Sequence, residues 1–248
     1  MQRLARHVFI AGGSVLLLAA SSVAWYALSS PPLENFPLPS ELISISSPEG
    51  QQLLASAESR ADYAQLAPYL VPQARRAFCG PATSAAVINA AFKPQPAATQ
   101  AALFNAAASA VKSELALSFS GLTLEELAAF MRAHGLTVQV VHAGRSGLAS
   151  FREAARTALG ESDTFLVANY DRRVLKQLGA GHISPIGAFD FETDRVLILD
   201  VATQKYPYTW VTVPMLWAAM NTVDSGSGQT RGYLLVTARS QPNDHALQ

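Results

Sequence analysis

The apolar residues of this chain change their spacing at Gly160, and that change narrows the fold more than any other feature. Before it, recurrence at three and four residues predicts helices over 51–70, from Cys79 onward, over a segment opening at Leu124, and over 150–159. The clearest is the third. Thr123 and Glu126 fit a capping box, Leu122 and Leu127 fit a hydrophobic staple, and Gly135 supplies the stop. Ser150 and Glu153 are read as a second capping box, 137–141 as a strand, and alanine-rich 94–112 is left unassigned. After Gly160 the runs 164–170, 183–189, 195–202 and 231–237 are short, β-branched and aromatic, with polar turns between them. A helical half followed by a stranded half predicts α+β with an antiparallel sheet rather than alternating βαβ units.

The flanks have their own character. Arg3, Arg6 and His7 precede an uncharged stretch from Val8 to Leu28 that ends in Trp25-Tyr26. Small residues at Ser22 and Ala24 suit a signal-peptidase site, whereas about 20 apolar residues suit an uncleaved anchor, and both readings stay open. Residues 1–30 are therefore expected to be a signal peptide or membrane anchor. Residues 31–48, rich in proline and serine, are expected to form a tether, 49–240 one folded domain, and 241–248 a flexible tail. The expected location is the periplasm, free or tethered to the outer face of the inner membrane. Lysine plus arginine and aspartate plus glutamate balance at 18 each, which disfavours a nucleic-acid partner. One cysteine excludes an internal disulfide and any multi-cysteine metal site, so no resident metal or other cofactor is expected. A homodimer is left open.

That cysteine, Cys79, lies in Ala77-Phe78-Cys79-Gly80-Pro81, at the start of a predicted helix. There the free N–H groups and the dipole are expected to favour a thiolate, with Arg75 and Arg76 adding positive charge. A buried structural cysteine is the competing reading. His182 follows Gly179-Ala180-Gly181 and opens one predicted strand, and Asp200 closes the next. If the two strands pair as a hairpin, His182 and Asp200 meet at its open end, as a base and its orienting carboxylate must. Alone, each would pass as a structural histidine and a strand-end cap. His134 and His142 are assigned no chemistry.

Taken in order, Gln73, Ala77-Phe78-Cys79-Gly80, Gly121-Leu122-Thr123-Leu124, Gly181-His182-Ile183-Ser184-Pro185, Asp200-Val201-Ala202, Lys205-Tyr206-Pro207 and Thr222-Val223-Asp224-Ser225 resemble phytochelatin synthase. This is the glutathione γ-glutamylcysteinyltransferase family, and the likeness runs from Glu49 to Thr237. It implies a papain-like fold, with 49–240 as the catalytic domain and glutathione as the substrate. It also implies a ping-pong reaction: Cys79 attacks the Cys–Gly carbonyl, His182 carries the proton, and Asp200 orients the ring. Gln73 matches the family's oxyanion-hole glutamine. Asn169, Gly181 and Arg231 are implied near the acyl pocket, and Lys205 and Tyr206 are further candidates. Thr203 stands where plant-type members carry arginine, Gln204 replaces an aromatic, and no cysteine-rich C-terminal region is seen. Hydrolysis of the thioester is therefore expected over transfer to a second glutathione, with heavy metal entering only as a metal–glutathione complex. The competing expectations are a papain-like peptidase or amidase acting on other γ-glutamyl or cell-wall peptides, and a glutathione-binding module without turnover.

Overall fold

The computed structural model describes residues 21–238. Most of the expected leader, and all of the expected tail, lie outside them. Among the described residues no helix is long and apolar enough to cross a membrane. Residues 21–28 are helical, and the chain then runs extended to a short strand, β1 (Ile43–Ser44). The expected tether is extended but not free. Glu34 and Asn35 donate backbone N–H groups to the Gln204 carbonyl, Phe36 donates to Lys205, and the Phe36 ring lies 5.9 Å from that of Tyr206.

Helices α1 (Pro48–Ser56) and α2 (Ala61–Leu66) replace the single helix expected over 51–70. Helix α3 (Cys79–Phe92) begins at the cysteine itself, so Pro81 is its third residue, where a missing N–H still costs no intrahelical bond. Its burial differs from the expected single apolar face: every residue from Cys79 to Ala90 is buried, while Phe92 is exposed. Small side chains at Ala82, Thr83, Ser84, Ala85 and Ala86 let neighbours close on it from all sides. The alanine-rich region and its sequel yield α4 (Ala106–Val111) and α5 (Glu114–Ser120), capped by Asn105 and Ser113. Helix α6 (Leu124–Arg132) has the expected box: Thr123 N–H donates to Glu126 Oε2 at 2.8 Å, and Glu126 N–H to Thr123 Oγ1 at 3.2 Å. Helix α7 (Leu148–Gly160) starts earlier than expected, from Gly147, so Ser150 caps nothing.

Strands β2 (Leu136–His142), β3 (Thr164–Asp171), β4 (Gly181–Asp190), β5 (Arg195–Ile198), β6 (Thr209–Thr212) and β7 (Gly232–Ala238) complete one sheet with β1. Its order is β1-β6-β5-β4-β3-β7-β2, and every pairing is antiparallel. The α+β expectation holds at this level. Strand β6 and α8 (Val213–Met220) were not foreseen, and β5 stops four residues short of the run read from the sequence. Pro185 sits inside a central strand, which is tolerated because the β4–β5 register slips between Ile186 and Ala188. Two apolar clusters hold the halves together. One packs α3 and α6 on one face of the sheet, and the other packs α7 and α8 on the opposite face.

Candidate active site

Helix α3 points its N-terminus at the start of β4, so the helical half presents the thiol where the sheet presents the imidazole. Thr83 Oγ1 donates to the Ile183 carbonyl at 3.3 Å and ties the two elements together. The loop before Cys79 is pinned as well. Gln73 N–H donates to the Val201 carbonyl at 2.9 Å, and the Gln100 side chain accepts from Ala74 N–H and donates to the Pro72 carbonyl. The nucleophile loop is thus stitched to the residue that follows Asp200.

His182 Nε2 lies 2.9 Å from Asp200 Oδ1, as the hairpin expectation required, which leaves Nδ1 as the ring nitrogen not engaged by the carboxylate. The Tyr170 ring, directly across the β3–β4 ladder, meets the imidazole edge-on at 5.7 Å. Asp200 is held from three directions: by His182, by Ala202 N–H at 2.8 Å, and by Arg172, whose Nη2 reaches both carboxylate oxygens at 2.8 and 2.7 Å. Arg172 also donates to Gln177 Oε1 at 2.7 Å, so this buried cation has partners on two sides.

The electrostatics correct the expectation of a resting thiolate. Burial pushes the Cys79 thiol up, against the opposing pull of the Ile183 N–H, the Arg172 charge and the Gly80 N–H. Burial pushes His182 down to about 4, and the Arg172 charge adds to this while Asp200 opposes it. For Asp200, burial alone would raise the pKa. The charges of Arg172 and His182, with the hydrogen bonds, outweigh it and hold the carboxyl well below the usual carboxylate range. At neutral pH the site therefore rests as thiol, neutral imidazole and carboxylate. A helix terminus is worth only about 0.3–2 kcal/mol to a charge, too little to offset full desolvation here.

Cys79 and His182 open into one cavity of about 340 Å³. Its far wall carries Asn169, Asp224 and Arg231, with Gly181 between them and the histidine. Arg231 Nη1 donates to Asn169 Oδ1 at 3.1 Å and pairs with Asp224 Oδ2 at 3.4 Å, while its buried Nε has no partner. A Cβ on Gly181 would come within 2.5 Å of the guanidinium, so glycine is what lets the arginine lie flat there. Gln73 is placed differently. It is not among the cavity's lining residues, and its amide donates to the Arg75 and Arg76 carbonyls at 2.9 and 2.7 Å. Tyr206 is structural: its hydroxyl accepts from Leu178 N–H, and its ring lies under Arg172. Lys205 pairs with Glu34.

The family model for phytochelatin synthase matches residues 33–233. The chain belongs to the phytochelatin synthase family. Among its relatives, glutathione gamma-glutamylcysteinyltransferase 3 of Lotus japonicus is 31% identical over 230 residues, covering 89% of this chain and 45% of that protein. Glutathione gamma-glutamylcysteinyltransferase 1 of Triticum aestivum is 34% identical over 219 residues, covering 86% and 42% respectively. The Schizosaccharomyces pombe glutathione gamma-glutamylcysteinyltransferase is 30% identical over 206 residues, with 80% and 50% covered. The chain spans about half the length of these relatives. In this phytochelatin synthase homologue, sequence reasoning missed Arg172, Asp224 and Tyr170. Arg172 stands two residues past the predicted strand end at Tyr170, where an arginine looks like a solvated turn residue. Asp224 lay within a quoted run but had no role.

Proposed function

We propose that the chain removes glycine from glutathione through a γ-glutamylcysteinyl thioester on Cys79, on a papain-like arrangement of helix and sheet. The observation that carries this is the pairing, in one cavity, of a thiol and a carboxylate-oriented imidazole with a wall that fits an amino-acid head group. Arg231, with Asn169, suits an α-carboxylate, and Asp224 suits an α-ammonium. With the glutamyl head group on that wall, the γ-carbonyl comes first along the tripeptide, and the Cys–Gly carbonyl one residue further is the one that Cys79 attacks.

In the resting site His182 is neutral and acts as the base while the sulfur attacks. The thiol proton moves to His182 Nδ1 as the C–S bond forms and the carbonyl π electrons move to oxygen. Cys79 N–H at the helix start is the nearest donor for that oxygen, and Gln73 becomes a second if its amide turns from the Arg76 carbonyl toward the cavity. Collapse of the tetrahedral species breaks the C–N bond, and His182 passes its proton to the departing glycine amine. Water then attacks the thioester carbonyl as the same nitrogen takes its proton; collapse breaks the C–S bond, His182 returns the proton to the Cys79 sulfur, and γ-glutamylcysteine leaves. A second glutathione in place of water would give a phytochelatin. We rank water first, because Thr203 and the buried Gln204 offer an incoming anionic tripeptide no cation. Among the described residues no group of three or more His, Cys, Asp or Glu side chains could hold a metal ion; in this reading metal arrives bound to glutathione sulfur. Residues 1–30 deliver the domain across the membrane.

Mass spectrometry of products from the full chain in mild detergent with glutathione, with and without cadmium, tests this. Glycine and γ-glutamylcysteine are expected from the wild type and neither from Cys79→Ser, whose circular dichroism should match the wild type. Undiminished glycine release by that variant would sink the reading, and longer oligomers would reverse the ranking of water over glutathione.

A further inference from the structure

The mouth of the cavity is bordered by apolar side chains that the domain leaves uncovered. Phe119, which lines the cavity, is 51% exposed, and Leu115, one turn earlier on α5, is 60% exposed. Helix 21–28, held to the lining residue Arg76 through Tyr26, carries Trp25 at 72% and Tyr26 and Val23 each at 58%. Two consecutive arginines clasp these elements to the loop that precedes Cys79. Arg75 pairs with Glu114 and donates to Ser118 Oγ, both on α5. Arg76, itself a lining residue, donates to the Tyr26 carbonyl at 2.7 Å and to Ser29 Oγ at 3.1 Å, with its guanidinium 3.9 Å from the Tyr26 ring centre.

A run of large exposed apolar groups rimming a polar cavity marks a surface that meets something. What meets it is indicated by the chain leading into it. Residues 8–28 carry no charge, follow Arg3 and Arg6, and end at Trp25 and Tyr26, the residue types that settle at the level of lipid head groups. The uncharged segment is thus continuous with the uncovered face, and Arg76 fixes its end to the rim. We propose that a phospholipid bilayer covers this face, with Trp25, Tyr26, Leu115 and Phe119 at the head-group level, so that the cavity opens along the membrane surface. The proposal rests on reading residues 1–30 as a membrane element and is independent of the reaction performed.

The single cysteine makes the test direct. In the Cys79→Ser background, Phe119→Cys or Leu115→Cys gives one site for an environment-sensitive fluorophore. Lys93→Cys, at the far end of α3 about 20 Å away, is the control. The full chain is reconstituted in vesicles of phosphatidylethanolamine and phosphatidylglycerol containing brominated phosphatidylcholine as quencher. The probes at 119 and 115 should lose most of their fluorescence while the probe at 93 keeps its own. Failure of the chain to float with vesicles, or equal quenching at 93, overturns the proposal. So does a dimer in detergent that shields position 119 from a soluble quencher, which would assign the face to a second copy. Glycine release by the unlabelled chain in detergent, measured alongside, reports on the catalytic reading separately.

Discussion

Replacing Arg172 with methionine removes a buried cation while keeping most of its volume. Asp200 then keeps His182 and the Ala202 N–H but loses the guanidinium that reaches both of its oxygens. Breaking a buried pair from one side costs about 3–5 kcal/mol, against a total stability of about 5–15 kcal/mol for a domain of this kind, so the variant should fold with a narrow margin. The pH dependence identifies the cause. Asp200 is held below its unfolded value in the native state, so its pairing contributes stability above the unfolded carboxyl pKa of about 3.9 and loses it as pH falls toward the folded value. The unfolded reference is shared, so the gap between wild type and variant should be largest at high pH and shrink as pH falls through the point where the variant's carboxyl, no longer held down by Arg172, protonates. Urea unfolding at several pH values measures this. The same substitution removes the Arg172 charge that helps depress His182, so the acid limb of kcat/KM should rise from about 4 toward the ordinary histidine range. A destabilisation under about 1 kcal/mol at neutral pH, or one that does not change with pH, would refute the argument, since surface pairs behave that way.

Gly181→Ala should raise KM for glutathione about tenfold or more, roughly 1.4 kcal/mol of binding, with a smaller change in kcat, because the new methyl meets the Arg231 guanidinium; an unchanged KM would remove Arg231 from substrate recognition. Asp62 is fully buried, one oxygen accepts from Leu166 N–H, and burial raises its pKa well above the usual range. A raised folded value means stability is lost as pH climbs above the unfolded pKa, so Asp62→Asn should gain on the wild type between about pH 4 and 7 and show little advantage below. Equal unfolding midpoints at neutral pH would contradict this. The ultraviolet thiolate absorption of wild type minus Cys79→Ser should be absent at neutral pH and develop only above the ordinary thiol range. A full thiolate signal at neutral pH would restore the ion-pair mechanism for the resting enzyme.

What could be read from the sequence depended on how local the cause was. The capping box at Thr123 and Glu126 spans four residues and was plain. The burial of α3 was not, since a helix of alanine, serine and threonine carries little periodic signal while still packing on every side. Cys79, His182 and Asp200 were legible because a hairpin brings the last two together through a short turn, and residue type and order did the rest. Arg172 and Asp200 are 28 positions apart and meet only because β3, β4 and the segment after β5 end on one side of the sheet. Asn169 and Arg231 meet through the β3–β7 ladder, which pairs Asn169 with Gly232 across more than sixty residues of chain. No local pattern announces a register of that kind. Likewise Gln73 could be placed in the right loop from the sequence, but not the direction of its amide.

The same topology explains how a site that is neutral at rest could still support the proposed attack. The nucleophile enters from the helical half and the base from the sheet, and both are buried, at 8% and 6% exposure, where the two halves meet at the cavity. Burial there suppresses the thiolate and the imidazolium alike, which would leave an inert pair if nothing compensated for charge as it forms. The Asp200 carboxylate is the compensation. Kept ionised by Arg172, it stabilises an imidazolium only once the proton has left the sulfur, while Ile183 and Gly80 N–H groups lie beside the sulfur that loses it. Charge separation is thus unfavourable before the attack and becomes favourable along the proposed reaction, when the sulfur's electrons enter a bond to carbon. If the domain is exported as proposed, this has a further consequence: a thiol that stays protonated until substrate arrives is a poor target for oxidants, which act on thiolates.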